Sequence, residues 1–229
     1  MIPFKDNIPT RTWPVITVAF IVANCAVFLF QITLPKQAYV DSIYLFGAVP
    51  SRLTDLSAWL APGAHNAAVS VFTSMFMHAG WLHLAGNMLY LWIFGNNVED
   101  SMGHVKFVIF YLLCGTAAAA AQVFNVPGST IPMVGASGAV SGVLGAYLIL
   151  HPFARVQTLI FIFFFIRVIE LPAIFVLLVW FLIQVTNGLT APPDAVGVAW
   201  YAHIGGFVVG LLLIRFFQTR RPVRKAAYW

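Results

Sequence analysis

The sequence predicts an all-α membrane protein, a single bundle of six transmembrane helices. Of its 229 residues, 61% are hydrophobic and only 8% are charged, whereas soluble domains carry about a quarter charged residues. Apolar stretches of about 20 residues, the length that crosses a hydrocarbon core, recur along the whole chain. They do not alternate between polar and apolar positions as barrel strands do, so the spans are predicted to be helices.

The six spans are predicted from the apolar stretches, and together they form one polytopic domain over residues 1–229. The first stretch is longer than the core of a signal peptide, so we expect it to be retained. In chain order the predicted spans cover residues 13–33, 73–95, 105–125, 136–151, 171–189 and 198–217.

Two connecting segments are also apolar. Residues 34–72 combine aromatic residues with Pro, Gly and Ser turn signals, which favours a position in the membrane interface. Residues 156–170 are apolar but end close to charged residues and Pro172. We predict a re-entrant or interfacial segment there.

The net charge of +5 predicts membrane anchoring and not nucleic-acid binding, because the basic residues flank apolar stretches. With both termini in the cytoplasm, ten Lys and Arg residues lie inside and two, Lys36 and Arg52, lie outside, as the positive-inside rule expects. The short tails favour a bacterial inner membrane, with an organellar membrane as the alternative. The largest basic cluster follows the last span and consists of Arg220, Arg221, Arg224 and Lys225.

Polar side chains at membrane depth are costly and therefore indicate functional sites. The first such cluster lies in the run HAGWLHLAGN at residues 78–87. His83 and Asn87 are four residues apart, so they share a helix face and can point at one spot. Hydrogen bonds between helices would explain the same residues equally well.

The second cluster is the sequence GASG at residues 135–138, at the predicted start of the fourth span. A serine at a helix N-terminus lies beside unpaired backbone amides and the positive end of the helix dipole, where an oxyanion can be held. Small residues at this spacing also indicate tight helix packing. Ala139 breaks the nucleophile-elbow pattern of soluble hydrolases.

The third cluster is His203, followed by Gly206 and Gly210 on nearly the same helix face. The glycines allow the sixth span to approach another small-residue helix closely, and the fourth span offers one. Together the clusters supply a nucleophile, a base and oxyanion donors, the groups that acyl transfer requires. The spans offer no carboxylate to orient the histidine, so a Ser-His dyad is expected instead of a triad.

Three motifs in this order, HAGWLHLAGN, GASG and the sequence AHIGG at residues 202–206, resemble the rhomboid family of intramembrane serine proteases. The resemblance extends from about residue 46 to 217, with a short cytoplasmic tail at 218–229. It implies a rhomboid-like bundle in which Ser137 is the nucleophile, His203 the general base, and His83 and Asn87 oxyanion donors. The implied reaction is cleavage of transmembrane protein substrates through an acyl-enzyme.

The resemblance also assigns His78 a structural role, bracing the first loop. Some members of the family carry an aromatic residue four positions after the nucleophile, beneath the imidazole, where this chain has Ser141. Some also carry a Trp-Arg pair in the first outer loop that is not found here. The support of His203 is therefore expected to differ.

Alternative functions make different demands on the sequence. A non-catalytic rhomboid-like protein that binds transmembrane clients normally lacks the serine or the histidine, and both are present. A channel or transporter lined by histidines would be expected to show acidic partners in the spans or inverted repeats. A zinc protease would need a His-Glu-x-x-His motif, which does not occur. No metal or cofactor is expected.

Overall fold

The computed structural model describes residues 1–63, 66–162, 165–192 and 197–219. Helices dominate these ranges, as the composition predicts. The long helices, each of 14 to 22 residues, are α1 (Val15–Thr33), α6 (Trp81–Met102), α7 (His104–Asn125), α8 (Ser137–Leu150), α9 (Ala173–Thr190) and α10 (Trp200–Phe217).

Four of the six predicted spans satisfy the length and composition that a membrane crossing requires. Within the described residues these are α1, α7, α9 and α10. The helix near the second prediction, α6, begins eight residues later than predicted, at Trp81, and extends to Met102 through two buried carboxylates. The helix at the fourth, α8, has only 14 residues. The count of six membrane-crossing helices therefore stays a prediction.

The described residues of the connection between α1 and α6 contain four short α-helices and a 3₁₀ helix, Ser74–Phe76. The first part of this connection pairs with the loop before α8 through an isolated bridge between Ala48 and Met133. The hydroxyl of Thr73 donates a hydrogen bond to the carbonyl of Phe46, 2.7 Å away. The short helices are α2 (Lys36–Phe46), α3 (Pro50–Leu53), α4 (Leu56–Trp59) and α5 (Ala67–Thr73).

The prediction of an all-α protein is wrong in one place, where three strands form an antiparallel sheet. The strands are β1 (Ile2–Asp6), β2 (Arg155–Ile162) and β3 (Phe165–Pro172), in the order β1-β2-β3.

The predicted re-entrant or interfacial segment, 156–170, is therefore a β-hairpin paired with the N-terminus. Its β-branched and aromatic residues favour strands, and Val156 and Thr158 on one face of β2 are fully buried. The partner strand β1 lies about 150 residues away in the chain, so no local pattern could reveal the pairing.

The centre of the fold is α8. Eleven of its 14 residues are buried, and it packs against α6, α7 and α10. A Cβ added to Gly210 would lie 2.0 Å from the carbonyl oxygen of Gly142, and one added to Gly206 would lie 2.1 Å from that of Gly138. These glycines bring the backbones of α8 and α10 into direct contact, which confirms the close approach that the sequence predicts.

The basic cluster predicted after the last span lies outside the described residues. The last described residue, Thr219, donates its backbone N–H to the carbonyl of Ser101, 3.0 Å away. The end of α10 is thereby attached to the end of α6.

Candidate active site

Ser137 is the first residue of α8, so the backbone N–H groups around it have no partner within the helix. Two residues earlier, Gly135 has φ +118°, a conformation that favours glycine, and its N–H donates to the carbonyl of Ser74, 2.9 Å away. A Cβ at Gly135 would lie 2.6 Å from Nε2 of His83. Glycine therefore permits both the turn before Ser137 and the approach of His83.

His83 and Asn87 lie one turn apart on α6, as the sequence predicts. Both face the loop before Ser137, since Nδ2 of Asn87 would lie 3.4 Å from a Cβ at Gly135. The same Nδ2 is 2.9 Å from Nε2 of His78. An amide nitrogen only donates, so it is the His78 ring that accepts, and the Asn87 amide is held in place.

His78 is fully buried and connects Asn87 to the first part of the chain. Its N–H donates to Oε1 of Gln31 at 3.1 Å, and its carbonyl accepts from the hydroxyl of Tyr39 at 3.3 Å. The His78 and His83 rings are 5.1 Å apart, edge to face. These contacts join α1 and α2 to the side chains beside Ser137.

His203 lies in the first turn of α10 and contacts α9. Its Nδ1 is 2.8 Å from Oε1 of Gln184. The ring centroid of Trp180 is 6.0 Å from the imidazole and that of Trp200 is 6.3 Å away. Sequence reasoning missed Gln184, although a glutamine within an apolar span is the kind of polar residue that signals a site.

Position 141, where the family resemblance leads one to expect an aromatic residue beneath the imidazole, is a serine. Ser141, at that position, donates its hydroxyl to the carbonyl of Ser137, 2.6 Å away in the same helix. The rings beside His203 instead come from Trp180 on α9 and Trp200 on α10. The support of the histidine therefore comes from helices other than that of the serine.

One cavity of about 780 Å³ unites the four predicted site residues, because Ser137, His203, His83 and Asn87 all line it. Gln122 also lines the cavity, and its Oε1 accepts the N–H of Ala202 at 3.2 Å. The four predicted residues thus present one hydroxyl, two imidazoles and an amide to a shared space. Among the described residues, no three His, Cys, Asp or Glu side chains are grouped so as to hold a metal ion.

Comparisons with known proteins agree with the motifs. The rhomboid domain model matches residues 65–220. The chain is 30% identical to RHOMBOID-like protein 1 of Arabidopsis thaliana, over 95% of this chain and 57% of that protein. It is 32% identical to the rhomboid protease GluP of Bacillus subtilis, over 63% of this chain and 25% of that protein. It is also 27% identical to the rhomboid protease AarA of Providencia stuartii, over 86% of this chain and 70% of that protein.

The chain aligns with less than two thirds of the length of the first two of these relatives. The family model nevertheless covers more than half of the chain, including the three motifs and all four residues around the cavity. The chain therefore belongs to the rhomboid family.

Proposed function

We propose that this chain is an intramembrane serine endopeptidase that cleaves transmembrane protein substrates. The observation that carries the proposal is the cavity shared by Ser137, His203, His83 and Asn87. It contains every group that acyl transfer needs: a nucleophile, a base and hydrogen-bond donors for an oxyanion. Two relatives, GluP and AarA, are named rhomboid proteases.

In the first step, Oγ of Ser137 bonds to the carbonyl carbon of the scissile peptide, and its proton passes to Nε2 of His203. The carbonyl oxygen becomes an oxyanion. His83, Asn87 and the backbone N–H of Ser137 donate to it, and such donors are each worth about 3 kcal/mol in transition-state stabilisation. The glycine at position 135 is the reason these donors can approach the serine loop.

In the second step, His203 donates the proton that it took from Ser137 to the amide nitrogen of the substrate. The C–N bond breaks, the new amine leaves, and an acyl-enzyme remains on Ser137. Water then gives a proton to His203 and attacks the ester carbon. Collapse of this second intermediate releases the carboxylic acid product, and His203 returns the proton to Oγ of Ser137.

A spanning helix keeps its peptide groups hydrogen-bonded, so a substrate must unwind locally before attack. At 14 residues, α8 extends about 21 Å at 1.5 Å per residue, which is shorter than a hydrocarbon core of about 30 Å. A helix of that length that reaches one membrane surface places Ser137 below the other. The cavity, which is lined by the polar side chains of the four site residues among apolar ones, supplies a route for the water that hydrolysis consumes.

The proposed orientation has both termini in the cytoplasm of a bacterial cell, and it rests on the distribution of Lys and Arg. The orientation is tested in intact cells with two variants, Lys36→Cys and Lys106→Cys, each made in a protein in which Cys25 and Cys114 have been replaced. A membrane-impermeant maleimide is expected to label the first and not the second. Labelling of the second alone would overturn the orientation.

The test of the activity is cleavage of a single-span substrate by the purified protein in detergent. Ser137→Ala and His203→Ala are expected to abolish cleavage while the proteins stay folded. The matched control is Ser101→Ala, because the buried hydroxyl of Ser101 donates to a carbonyl of its own helix, that of Val98 at 2.7 Å, and Ser101 does not line the cavity. Cleavage that persists in Ser137→Ala would contradict the mechanism.

A fluorophosphonate probe separates an inactive protein from an unsuitable substrate. An activated Ser137 is expected to react with the probe even when no substrate is cut, and Ser137→Ala is expected to stay unlabelled. A folded protein that neither cleaves nor reacts would favour the alternative function, binding of transmembrane clients without catalysis.

A further inference from the structure

His203 has a hydrogen-bond partner that none of the three motifs contains. Gln184 is on α9 and is 5% exposed, and its Oε1 lies 2.8 Å from Nδ1 of His203. Burying an amide in an apolar span is unfavourable unless its groups are paired. Both groups of this amide are paired, one with His203 and the other within α9.

The second hydrogen bond determines which way the amide points. Nε2 of Gln184 is 3.0 Å from the carbonyl oxygen of Trp180, one turn earlier in α9. A carbonyl oxygen only accepts, so the NH₂ group must face Trp180 and Oε1 must face His203. With the amide reversed, an oxygen would face an oxygen at Trp180.

This orientation selects the tautomer of His203. An amide oxygen also only accepts, so Nδ1 of the imidazole carries the proton. A neutral imidazole has one N–H, which leaves the lone pair on Nε2. That nitrogen is the one that must take the proton from Ser137.

We propose that Gln184 is a positioning residue that holds His203 in the tautomer and ring orientation that a general base needs, an inference that rests on the proposed function. The site would then be a Ser-His-Gln arrangement instead of the dyad that the sequence predicts. The amide oxygen orients the imidazole as the aspartate of a triad does. Because the amide is neutral, it stabilises the imidazolium less than an aspartate would.

Trp180 belongs to the same arrangement. It supplies the carbonyl that orients Gln184, and its ring lies 6.0 Å from the imidazole. Gln184 and Trp180 are both on α9, whereas Ser137 begins α8 and His203 belongs to α10. The geometry of the base therefore depends on α9 packing against α10, where the two helices are so close that a Cβ at Gly188 would lie in tight contact, 3.3 Å from the Cβ of Trp200.

The first experiment compares steady-state cleavage of a single-span substrate by Gln184→Met and Gln184→Glu with that by the unaltered protein. Methionine has a similar volume but no oxygen acceptor, so kcat is expected to fall roughly 10- to 100-fold with KM within about twofold. Glutamate keeps an oxygen acceptor for Nδ1 of His203 but loses the NH₂ group that donates to Trp180, so its kcat is expected to lie between those of Gln184→Met and the unaltered protein. Thr186→Val is the matched control, because Thr186 is on the same helix and does not line the cavity.

The pH–rate profile distinguishes positioning from a merely structural role. A carboxylate at position 184 stabilises the protonated imidazole, so Gln184→Glu is expected to move the acidic limb of the rate to higher pH. A folded Gln184→Met protein with kcat within about twofold of the unaltered protein, or an unmoved acidic limb in Gln184→Glu, would overturn the proposal.

A measurement that needs no turnover keeps this inference separate from the proposed function. In ¹⁵N-histidine-labelled protein, with the His203 signal assigned by its loss in His203→Asn, a protonated Nδ1 and an unprotonated Nε2 are expected at neutral pH. The opposite tautomer would overturn the role of Gln184 even in an active enzyme. The expected tautomer in a protein whose Ser137→Ala variant still cleaves would instead overturn the proposed function alone.

Discussion

The hydroxyl of Tyr147 donates a 2.5 Å hydrogen bond to Oδ2 of Asp6. Tyr147 lies on α8, ten residues after Ser137, and Asp6 ends the N-terminal strand β1. The bond therefore joins the helix that carries the proposed nucleophile to the small sheet.

Removing the Tyr147 hydroxyl is expected to destabilise the fold. A hydrogen bond to a charged group is worth about 1.5–3 kcal/mol, so Tyr147→Phe should lower the free energy of unfolding by about 2 kcal/mol. Asp6→Ala should lower it by less, because it also removes a carboxylate whose burial is unfavourable. Because the two share one bond, the double variant should lose clearly less than the sum. Denaturant titration in detergent measures the free energy of unfolding of the unaltered protein, the two single variants and the double variant.

Tyr111→Phe is the matched control for this cycle. Tyr111 is fully buried, and its hydroxyl has no hydrogen-bond partner within the described part of the chain. Losing an unpaired buried hydroxyl is expected to be neutral or stabilising. Equal losses from Tyr147→Phe and Tyr111→Phe would show that the bond to Asp6 contributes nothing.

The pH dependence of stability should carry a contribution from Asp6. Burial raises the pKa of this carboxyl from 3.8 to about 6, although the Tyr147 hydroxyl acts in the opposite direction. Between these two values the folded state binds more protons than the unfolded state, so stability falls as the pH rises. The loss is complete above about pH 6 and amounts to at most about 3 kcal/mol.

Asp6→Asn tests this dependence, because asparagine does not titrate. The stability of the unaltered protein minus that of the variant is expected to decline from about pH 4 to about pH 6 and to stay level above that. A difference that is flat across the window, or that rises with pH, would contradict the raised pKa. Thermal unfolding in detergent at several pH values provides the measurement.

The contact between α8 and α10 should not tolerate a methyl group. A Cβ at Gly210 would lie 2.0 Å from the carbonyl oxygen of Gly142, and the backbone cannot yield as a flexible side chain can. Gly210→Ala is expected to cost about 2 kcal/mol or more. Gly86→Ala is the control, because a Cβ there meets nothing within 4 Å; it should gain about 0.5–1 kcal/mol from helix propensity. A neutral Gly210→Ala would contradict the close crossing.

The buried carboxylate of Glu99 should be essential to the start of α1. One oxygen accepts the N–H of Ile16 at 2.9 Å and Nδ1 of His104 at 2.5 Å, and the other accepts the N–H of Thr17 at 2.8 Å and its hydroxyl at 2.7 Å. Glu99→Gln replaces one acceptor with a donor. We expect a loss of about 3 kcal/mol.

Glu170→Gln is the matched control for Glu99→Gln. The carboxylate of Glu170 is half-exposed and 3.4 Å from the guanidinium of Arg155, and pairs of this kind contribute about 0–1 kcal/mol. Equal effects of the two substitutions, measured by thermal unfolding in detergent, would contradict the role assigned to Glu99.

Residue type and spacing, which are local properties of the sequence, determined four of the long helices, the shared face of two site residues and one close helix contact. The apolar stretches predicted α1, α7, α9 and α10 because a membrane crossing demands a set length of apolar chain. The spacing of His83 and Asn87 predicted a shared helix face. Glycine positions predicted the approach of α8 and α10, since a missing side chain is visible in a sequence. The catalytic roles of Ser137 and His203 stay predictions.

Tertiary structure decided what depends on partners distant in the chain. The segment 155–172 became a hairpin because β1, at the other end of the chain, pairs with it. Glu99 lies beyond the predicted second span, and only the fold brings the first turn of α1 to its carboxylate. Gln184 and His203 are on different helices, so only packing could unite them. A hydrogen bond forms between groups that are close in space, and a sequence by itself does not state which distant residues the fold brings together.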